Sequence, residues 1–225
     1  MQERNVMKVI QVWVLSGLWV KKSSIIFEKG VFTMGKTQPL KELEQINALK
    51  DYFYERGEFR NYAMVVIGLN TSLRISDVLT LRWQDVYNFQ TASYRQHIAV
   101  REKKTQKNNV IAINSSIVDA LELLREKNHY IWPERYLFTS QKGYNTPITR
   151  NYAFTIIKNA SLSLGFEGTV SCHSLRKTFG YQAWKQGVQP ALLMSIYNHS
   201  SYEITKRYLG ISQDERDQVF MQIIL

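Results

Sequence analysis

A histidine and an arginine three positions apart form the most informative pair of reactive side chains in this sequence. They are His173 and Arg176, in the segment His-Ser-Leu-Arg. Residues three apart share one face of a helix, so both side chains are expected to point into one pocket. An imidazole can move a proton near neutral pH, and a guanidinium stays charged and binds phosphate oxygens through two donors. A capping histidine and a surface arginine are the ordinary alternative for this pair taken alone.

A further histidine and a tyrosine follow the pair. His199 lies between two short helical patterns, and Tyr208 comes nine residues later. The hydroxyl of tyrosine has a pKa of about 10, so it becomes a nucleophile only beside a base or in a strongly positive field. Tyr197 and Tyr202 are nearby alternatives, and a tyrosine on a helix is more often packed than reactive.

A second arginine, Arg74, stands between two apolar segments in the sequence Leu-Arg-Ile-Ser-Asp. A guanidinium at a junction of core helices is costly unless it is paired. Asp77, three positions later, could orient it, and a purely structural ion pair is the alternative. Two arginines beside a proton-moving group suit chemistry on a phosphodiester, because the arginines would stabilise the charge that develops during the reaction.

The periodicity of the apolar residues predicts a chain that is mainly α-helical. Helix signals include Thr37 and Thr149 as N-caps and a capping-box pattern that begins at Ser212. Two short runs rich in β-branched residues, 94–100 and 109–113, flank a polar basic stretch and predict an antiparallel β-hairpin with a basic tip. The predicted helices cover 39–53, 61–69, 75–83, 116–127, 151–164, 174–186, 190–197, 201–209 and a last segment from 212.

The composition narrows the class of partner. The chain has 225 residues, with 29 Lys and Arg against 19 Asp and Glu, and its net charge of +10 favours a polyanionic partner. The single cysteine, Cys172, excludes a disulfide framework and a cysteine-rich zinc site. The apolar run at 9–20 is too short for a membrane-spanning helix. A second methionine, Met34, precedes the first helical pattern, so we expect residues 36–225 to form one domain and residues 1–35 to be an N-terminal extension outside the fold.

The order and spacing of these residues resemble the catalytic domain of tyrosine recombinases, the phage integrase family. The resemblance rests on Arg74, the basic hairpin tip, the His-x-x-Arg segment and the step from His199 to Tyr208, and it covers residues 36–225. It implies the fold of that catalytic domain, which is mainly α with a small antiparallel β-hairpin. The chain is similar to short integrases that consist of the catalytic domain only.

The resemblance also implies a role for each candidate residue. Asn198 stands where the family commonly has glycine before the histidine, and asparagine tolerates the left-handed backbone of such a turn. Asp77 is similar to the acidic residue that follows the first arginine. Among the hairpin lysines, Lys104 matches best, Lys103 is the close competitor and Lys107 is a more distant one. The implied catalytic set is Arg74, Lys104, His173, Arg176, His199 and Tyr208, with Tyr208 as the nucleophile.

The activity implied by the resemblance is site-specific recombination of double-stranded DNA in the cytoplasm, through a 3′-phosphotyrosine intermediate. Because the covalent bond conserves the energy of the phosphodiester, the reaction needs no ATP, and two arginine clamps replace a metal, so no cofactor is expected. Strand exchange implies a homo-tetramer assembled on two DNA sites, assisted by DNA-bending accessory proteins, with no membrane partner. The apolar stripe after Ser212 is expected to dock on a neighbouring protomer or to pack on its own domain.

Two other functions fit the same residues. One is a non-catalytic DNA-binding protein with a recombinase-like fold, such as a remnant of a mobile element. The other is an enzyme similar to type IB topoisomerases, which nicks and closes DNA without a partner site. The complete catalytic set favours an enzyme over a remnant, and relaxation of supercoils by monomers would favour the topoisomerase.

Overall fold

The structure is a computed structural model that describes residues 37–104 and 106–224. The predicted extension at 1–35 lies outside the described residues, so the domain boundary stays a prediction. No helix in the described part is long and apolar enough to cross a membrane. The helices are α1 (Leu43–Tyr54), α2 (Phe59–Thr71), α3 (Ile75–Val78), α4 (Trp83–Val86), α5 (Ser115–Asn128), α6 (Arg150–Ser163), α7 (Cys172–Lys185), α8 (Pro190–Tyr197), α9 (Tyr202–Leu209) and α10 (Ser212–Gln222), and the strands are β1 (Tyr87–Asn88), β2 (Ser93–Tyr94), β3 (His97–Arg101) and β4 (Asn108–Ala112).

Helix α2 is the centre of the core, and it packs against α1, α5 and α7. Every residue from Ala63 to Leu69 is buried. A helix that is apolar on all sides must be covered on all sides, so the other helices assemble around it. Gly68 allows the close approach of α7, since a Cβ at this position would lie 2.9 Å from Cδ1 of Leu175. The predicted mainly α fold is confirmed, and α7 is fixed directly against the core.

The predicted β-hairpin is present as an antiparallel pair of β3 and β4, with His97 opposite Ala112 and Arg101 opposite Asn108. A second, smaller pair joins β1 and β2. Ile98 is fully buried and holds β3 on the helical core. Asp77 of α3 fixes the start of the hairpin tip, because its Oδ1 accepts a hydrogen bond of 3.0 Å from the backbone N–H of Lys103.

The first helix begins later than predicted, at Leu43 rather than near Pro39. Residues 37–42 are instead non-helical and run along α7; we call them the strap. Its backbone is held by side chains of α7, since Leu40 N–H donates to Thr178 Oγ1 at 2.8 Å and Gln182 Nε2 donates to the Lys41 carbonyl at 2.8 Å. These long-range hydrogen bonds, together with the buried Leu40 side chain, compete successfully with helix formation.

The segment predicted as one helix at 75–83 divides into α3 and α4. The break follows from a contact with a distant loop. Leu137 N–H donates to the carbonyl of Leu81 at 2.9 Å, and Arg82 forms an isolated antiparallel bridge with Tyr136. A sequence pattern of apolar residues does not report such a partner, and here the extended pairing replaces helical hydrogen bonds.

Of the three predicted helix caps, one is confirmed and two are wrong. Thr37 caps no helix, because α1 begins at Leu43 with Glu42 as its N-cap residue. Thr149 caps α6, where its Oγ1 accepts from Tyr152 N–H at 3.1 Å. Helix α10 does begin at Ser212, but its N-cap residue is Ile211 and no side-chain hydrogen bond caps it. The prediction that Ser212 is the N-cap residue is therefore wrong, because Ser212 is already the first residue of the helix.

Helices α7, α8 and α9 meet at Gly180. A Cβ on this residue would lie 2.5 Å from Tyr197 Oη and 2.6 Å from Leu209 Cδ2. These distances are shorter than any ordinary contact, so only glycine allows α8 and α9 to approach α7 this closely. The approach matters because α7 carries His173 and Arg176, whereas α9 carries Tyr208 and the turn before it carries His199.

Candidate active site

The start of α7 places His173 and Arg176 on one face, as the sequence predicts. Ser171 caps the helix, and its Oγ accepts from His173 N–H at 3.2 Å. Arg176, one turn further on, is only 4% exposed. Its guanidinium donates to the carbonyl of Ser72 and lies 4.8 Å from the centre of the Tyr197 ring. The charge is thereby fixed from two sides.

Arg74 reaches the same site from the turn between α2 and α3. Ser72 adopts a left-handed conformation with φ of 53°, which ends α2 and redirects the chain. Arg74 Nη1 then pairs with Glu102 Oε2 at 2.5 Å, and the carboxylate of Glu102 is almost fully buried. The acidic partner of Arg74 is thus Glu102 of the hairpin. Asp77, which proximity in sequence suggested, instead binds the backbone of Lys103.

His199 and Tyr208 approach from the turn between α8 and α9. Asn198 has φ of 56° and ψ of 42°, so the left-handed backbone expected of this residue is confirmed. His199 Nδ1 lies 3.1 Å from Thr205 Oγ1, which orients the imidazole. The ring stacks on Tyr197 at 5.6 Å and meets the edge of Tyr208 at 5.4 Å. Tyr208 therefore lies beside His199 and close to Arg176.

Burial and positive charge act in opposite directions on the Tyr208 hydroxyl. Burial raises its pKa above the ordinary value, while the positive charges of Arg176 and then Arg74 oppose this rise. The same two arginines lower the pKa of His199, although burial is the larger cause. At neutral pH the phenol is therefore protonated and His199 is neutral.

The pKa of His173 is also lowered. Burial is the largest cause, followed by the positive charges of Arg176, Lys177, Arg74 and Lys104. A histidine whose pKa lies below its usual value is neutral at pH 7, and a neutral imidazole can accept a proton. The structure thus brings His173 into the same charge environment as the arginines and the tyrosine.

Of these groups, Arg74 and His173 line an open cleft of about 910 Å³. Lys103 and Lys104 of the hairpin tip both line it, so the structure leaves the choice between them open. Lys107 does not line the cleft, and its Nζ donates to Oδ1 of Asn198, the residue before His199, at 3.1 Å. The cationic side chains lining the cleft are Arg74, Lys103, Lys104 and Arg150, and His173 lies beside them.

Two alternative tyrosines are engaged elsewhere. Tyr197 is fully buried, and its hydroxyl donates to the Arg176 carbonyl at 2.6 Å. The hydroxyl of Tyr202 donates to Glu215 Oε1 at 2.8 Å. Both are structural in this conformation, so Tyr208 is the tyrosine that the geometry favours as a nucleophile.

The sequence did not reveal several supporting residues. One feature of the sequence could have pointed to Glu102, since it is a lone carboxylate at the start of a basic hairpin tip. Lys177 and Thr205 had no such feature, because their importance depends on contacts made after folding. Among the described residues, no three His, Cys, Asp or Glu side chains are grouped as metal ligands would be.

Comparison with known proteins agrees with this geometry. The sequence model of the phage integrase family matches residues 38–215. A probable integrase/recombinase, YoeC of Bacillus subtilis strain 168, is 36% identical over 177 residues, which cover 79% of this chain and 91% of that relative. The tyrosine recombinase XerC of Leptospira interrogans is 23% identical over 192 residues, which cover 84% of this chain and 57% of that protein.

Solved recombinase structures share the fold. The crystal structure of XerA recombinase matches with a TM-score of 0.66 at 20% identity, covering 84% of this chain and 66% of that one. XerH recombinase bound to its difH substrate matches with a TM-score of 0.59 at 17% identity, covering 83% and 54%. The chain thus spans between half and two-thirds of these longer proteins. Its fold is that of their catalytic domains, as the sequence predicts.

Replacing Glu102 with glutamine is expected to destabilise the fold by about 1–3 kcal/mol, because the guanidinium of Arg74 loses a buried counter-charge. Unfolding in urea measures this change. Glu122→Gln is the matched control, since Glu122 pairs with Arg125 at the surface, where the two side chains are 38% and 41% exposed. The control is expected to change stability by less than about 0.5 kcal/mol. Equal effects of the two substitutions would contradict the importance of the buried pair.

Proposed function

Because this chain belongs to the phage integrase family of tyrosine recombinases, we propose that it cleaves and rejoins double-stranded DNA at specific sites through a 3′-phosphotyrosine on Tyr208. One observation carries the proposal. The Tyr208 hydroxyl lies in the positive field of Arg176 and Arg74. Tyr208 lines a cavity of about 400 Å³ together with His173, and His173 also lines the cationic cleft. Such a field suits attack on a phosphodiester, because it favours both the ionised phenol and the extra negative charge of the transition state.

In the proposed cleavage step, Arg176 and Arg74 bind the non-bridging oxygens of the scissile phosphate. Tyr208 Oη attacks the phosphorus, and its proton passes to neutral His173. The bond from Oη to phosphorus forms while the bond from phosphorus to the 5′ oxygen breaks. His199, oriented by Thr205, hydrogen-bonds a phosphate oxygen during this step.

The leaving 5′ oxygen needs a proton, and we assign its donation to Lys104, with Lys103 as the competing residue. Both line the cleft beside Arg74. Attack by a 5′-hydroxyl on the phosphotyrosine then reverses the chemistry. A hydroxyl from another duplex exchanges strands, whereas the original hydroxyl restores the starting DNA. No bond energy is lost in either case, so the cycle runs without ATP or a metal.

Strand exchange requires more than one active site, and we propose that four copies assemble on two DNA sites in the cytoplasm. The end of α10 supports a contact between copies. Phe220, Met221, Ile223 and Ile224 are each at least 59% exposed, so these four apolar side chains are largely uncovered by the described domain. Such a patch marks an interaction surface, and a neighbouring protomer would cover it. DNA-bending proteins would assist where the two sites must be brought together.

Covalent trapping tests the chemistry. Wild-type protein, incubated in EDTA with nicked duplexes selected for binding, is expected to form an adduct that survives SDS, and Tyr208→Phe is expected to form none. Tyr202→Phe is the matched control and is expected to keep the adduct. Tight binding with no wild-type adduct would instead support a non-catalytic DNA-binding protein. An adduct that persists in Tyr208→Phe would identify a different nucleophile.

A leaving group that needs no proton distinguishes the two lysines. Lys104→Ala is expected to slow cleavage of ordinary DNA by about 100-fold or more, because the general acid is lost. A substrate with sulfur at the 5′ bridging position should restore most of the rate, since a thiolate leaves without protonation. Lys103→Ala is the control and should cleave both substrates at nearly the wild-type rate. The opposite pattern would assign proton donation to Lys103.

The assembly is tested by Phe220→Asp, which places a charge in the apolar stripe. It is expected to reduce the four-subunit complexes on paired DNA sites, as measured by mass photometry. Gln213→Asp adds a charge to the exposed start of the same helix and should leave assembly unchanged. Normal tetramers of Phe220→Asp would show that the stripe is not a contact between protomers. Supercoil relaxation by monomers would support the topoisomerase-like alternative.

A further inference from the structure

Lys177 is a buried lysine beside the candidate nucleophile, and the mechanism above does not use it. It follows Arg176 on α7 and is only 7% exposed. Its Nζ donates to the backbone carbonyl of Thr37 at 2.6 Å and lies 5.3 Å from the centre of the Tyr208 ring. Lysine is almost never buried to this extent at a position without a specific need, because removing its charge from water is costly.

The position of the ammonium over the ring has a chemical consequence. A cation within about 6 Å of an aromatic face is attracted by the electron density of the ring. Ionisation of the phenol adds negative charge to the ring, so the attraction grows as Tyr208 loses its proton. Lys177 would therefore stabilise the nucleophilic form more than the resting form.

The same ammonium also acts on His173, the proposed base. His173 and Lys177 lie four positions apart on α7, and both line a cavity of about 400 Å³ together with Tyr208. The positive charge of Lys177 is one of the causes that lower the pKa of His173, beside burial and the charges of Arg176, Arg74 and Lys104. A charge at this point thus keeps the base neutral and ready to accept the phenolic proton.

We propose that Lys177 is a positioning residue for cleavage, whose ammonium, anchored on the Thr37 carbonyl, holds the Tyr208 ring and supplies positive charge to the cavity that the nucleophile and its base share. The inference rests on the proposed function, since it concerns the same tyrosine. It adds a third fixed cation to the two arginines. It also links the nucleophile to the strap, because the anchor of Lys177 is backbone of the strap.

The strap is well suited to hold this anchor in place. Besides its hydrogen bonds to Thr178 and Gln182, it carries Lys41, whose Nζ pairs with both carboxylate oxygens of Asp214 at 2.7–2.8 Å. The strap is therefore fastened to α7 at several points and to the start of α10 at one. A carbonyl held this firmly can keep a buried ammonium at a constant distance from the ring.

The test compares Lys177→Met, which removes the charge but keeps the length, with Lys177→Arg, which keeps the charge. Single-turnover formation of the Tyr208 adduct is measured from pH 6 to 9, and NMR follows the titration of His173 in the free protein. Lys177→Met should react about tenfold more slowly at pH 7. Its His173 should titrate at higher pH, so the acid limb of the pH–rate profile should move to higher pH. Lys177→Arg should recover most of the rate.

The matched control is Lys185→Met, an exposed lysine on the same helix, which should behave as wild type. If Lys177→Met does not fold, Lys177→Gln offers an uncharged donor for the same comparison. Wild-type rates and an unchanged His173 titration in Lys177→Met would overturn the inference while leaving the proposed function intact. If Lys177→Met and Lys177→Arg both lose the same fraction of the rate at every pH, the role of Lys177 is packing and the inference is wrong. No wild-type adduct would overturn the proposed function and this inference together.

Discussion

A buried guanidinium is the constraint on which the rest of the site depends. Arg176 is almost inaccessible to water, and a charge in that position is strongly destabilising unless other groups replace its hydration. The Ser72 carbonyl and the ring of Tyr197 do so, and they come from the α2–α3 turn and from α8. Because Tyr197 also binds the Arg176 carbonyl, the helix and the ring fix each other. The turn, α7 and α8 must therefore be in place together before the charge can be buried.

The site that results is crowded with positive charge. Arg74, Lys104, Arg176 and Lys177 all act on His173, and the carboxylate of Glu102 offsets part of this charge at Arg74. Like charges held close together in a poorly solvated site repel each other, so they destabilise the folded protein when no phosphate is bound. A bound phosphate would relieve that repulsion, and the more negative transition state would relieve it further. The repulsion lowers the stability of the free protein and is relieved as the transition state forms. A preorganised electrostatic site works in this way.

The sequence predicts the candidate reactive groups better than the groups that position them. The periods of the apolar residues predict most helices and the hairpin, and the order of Arg74, His173, Arg176, His199 and Tyr208 predicts which side chains meet. Asn198 is also predictable, because few residues accept its left-handed backbone. The strap, the break between α3 and α4 and the Arg74–Glu102 pair are not predictable in this way. Each depends on a partner distant in sequence, and local propensity carries no information about such partners.

One such pairing bears on how a hairpin lysine would reach a phosphate bound by Arg74 in the proposed reaction. Helix α3 fixes two consecutive residues of the hairpin tip, since Arg74 at its start pairs with the Glu102 side chain and Asp77 binds the Lys103 backbone. Lys104 follows directly, so its backbone begins at a point defined relative to Arg74. The arginine proposed to bind the phosphate and the lysine proposed to protonate the leaving oxygen are thereby attached to the same short helix. The Arg74–Glu102 pair and the Asp77–Lys103 hydrogen bond thus fix the hairpin tip relative to Arg74.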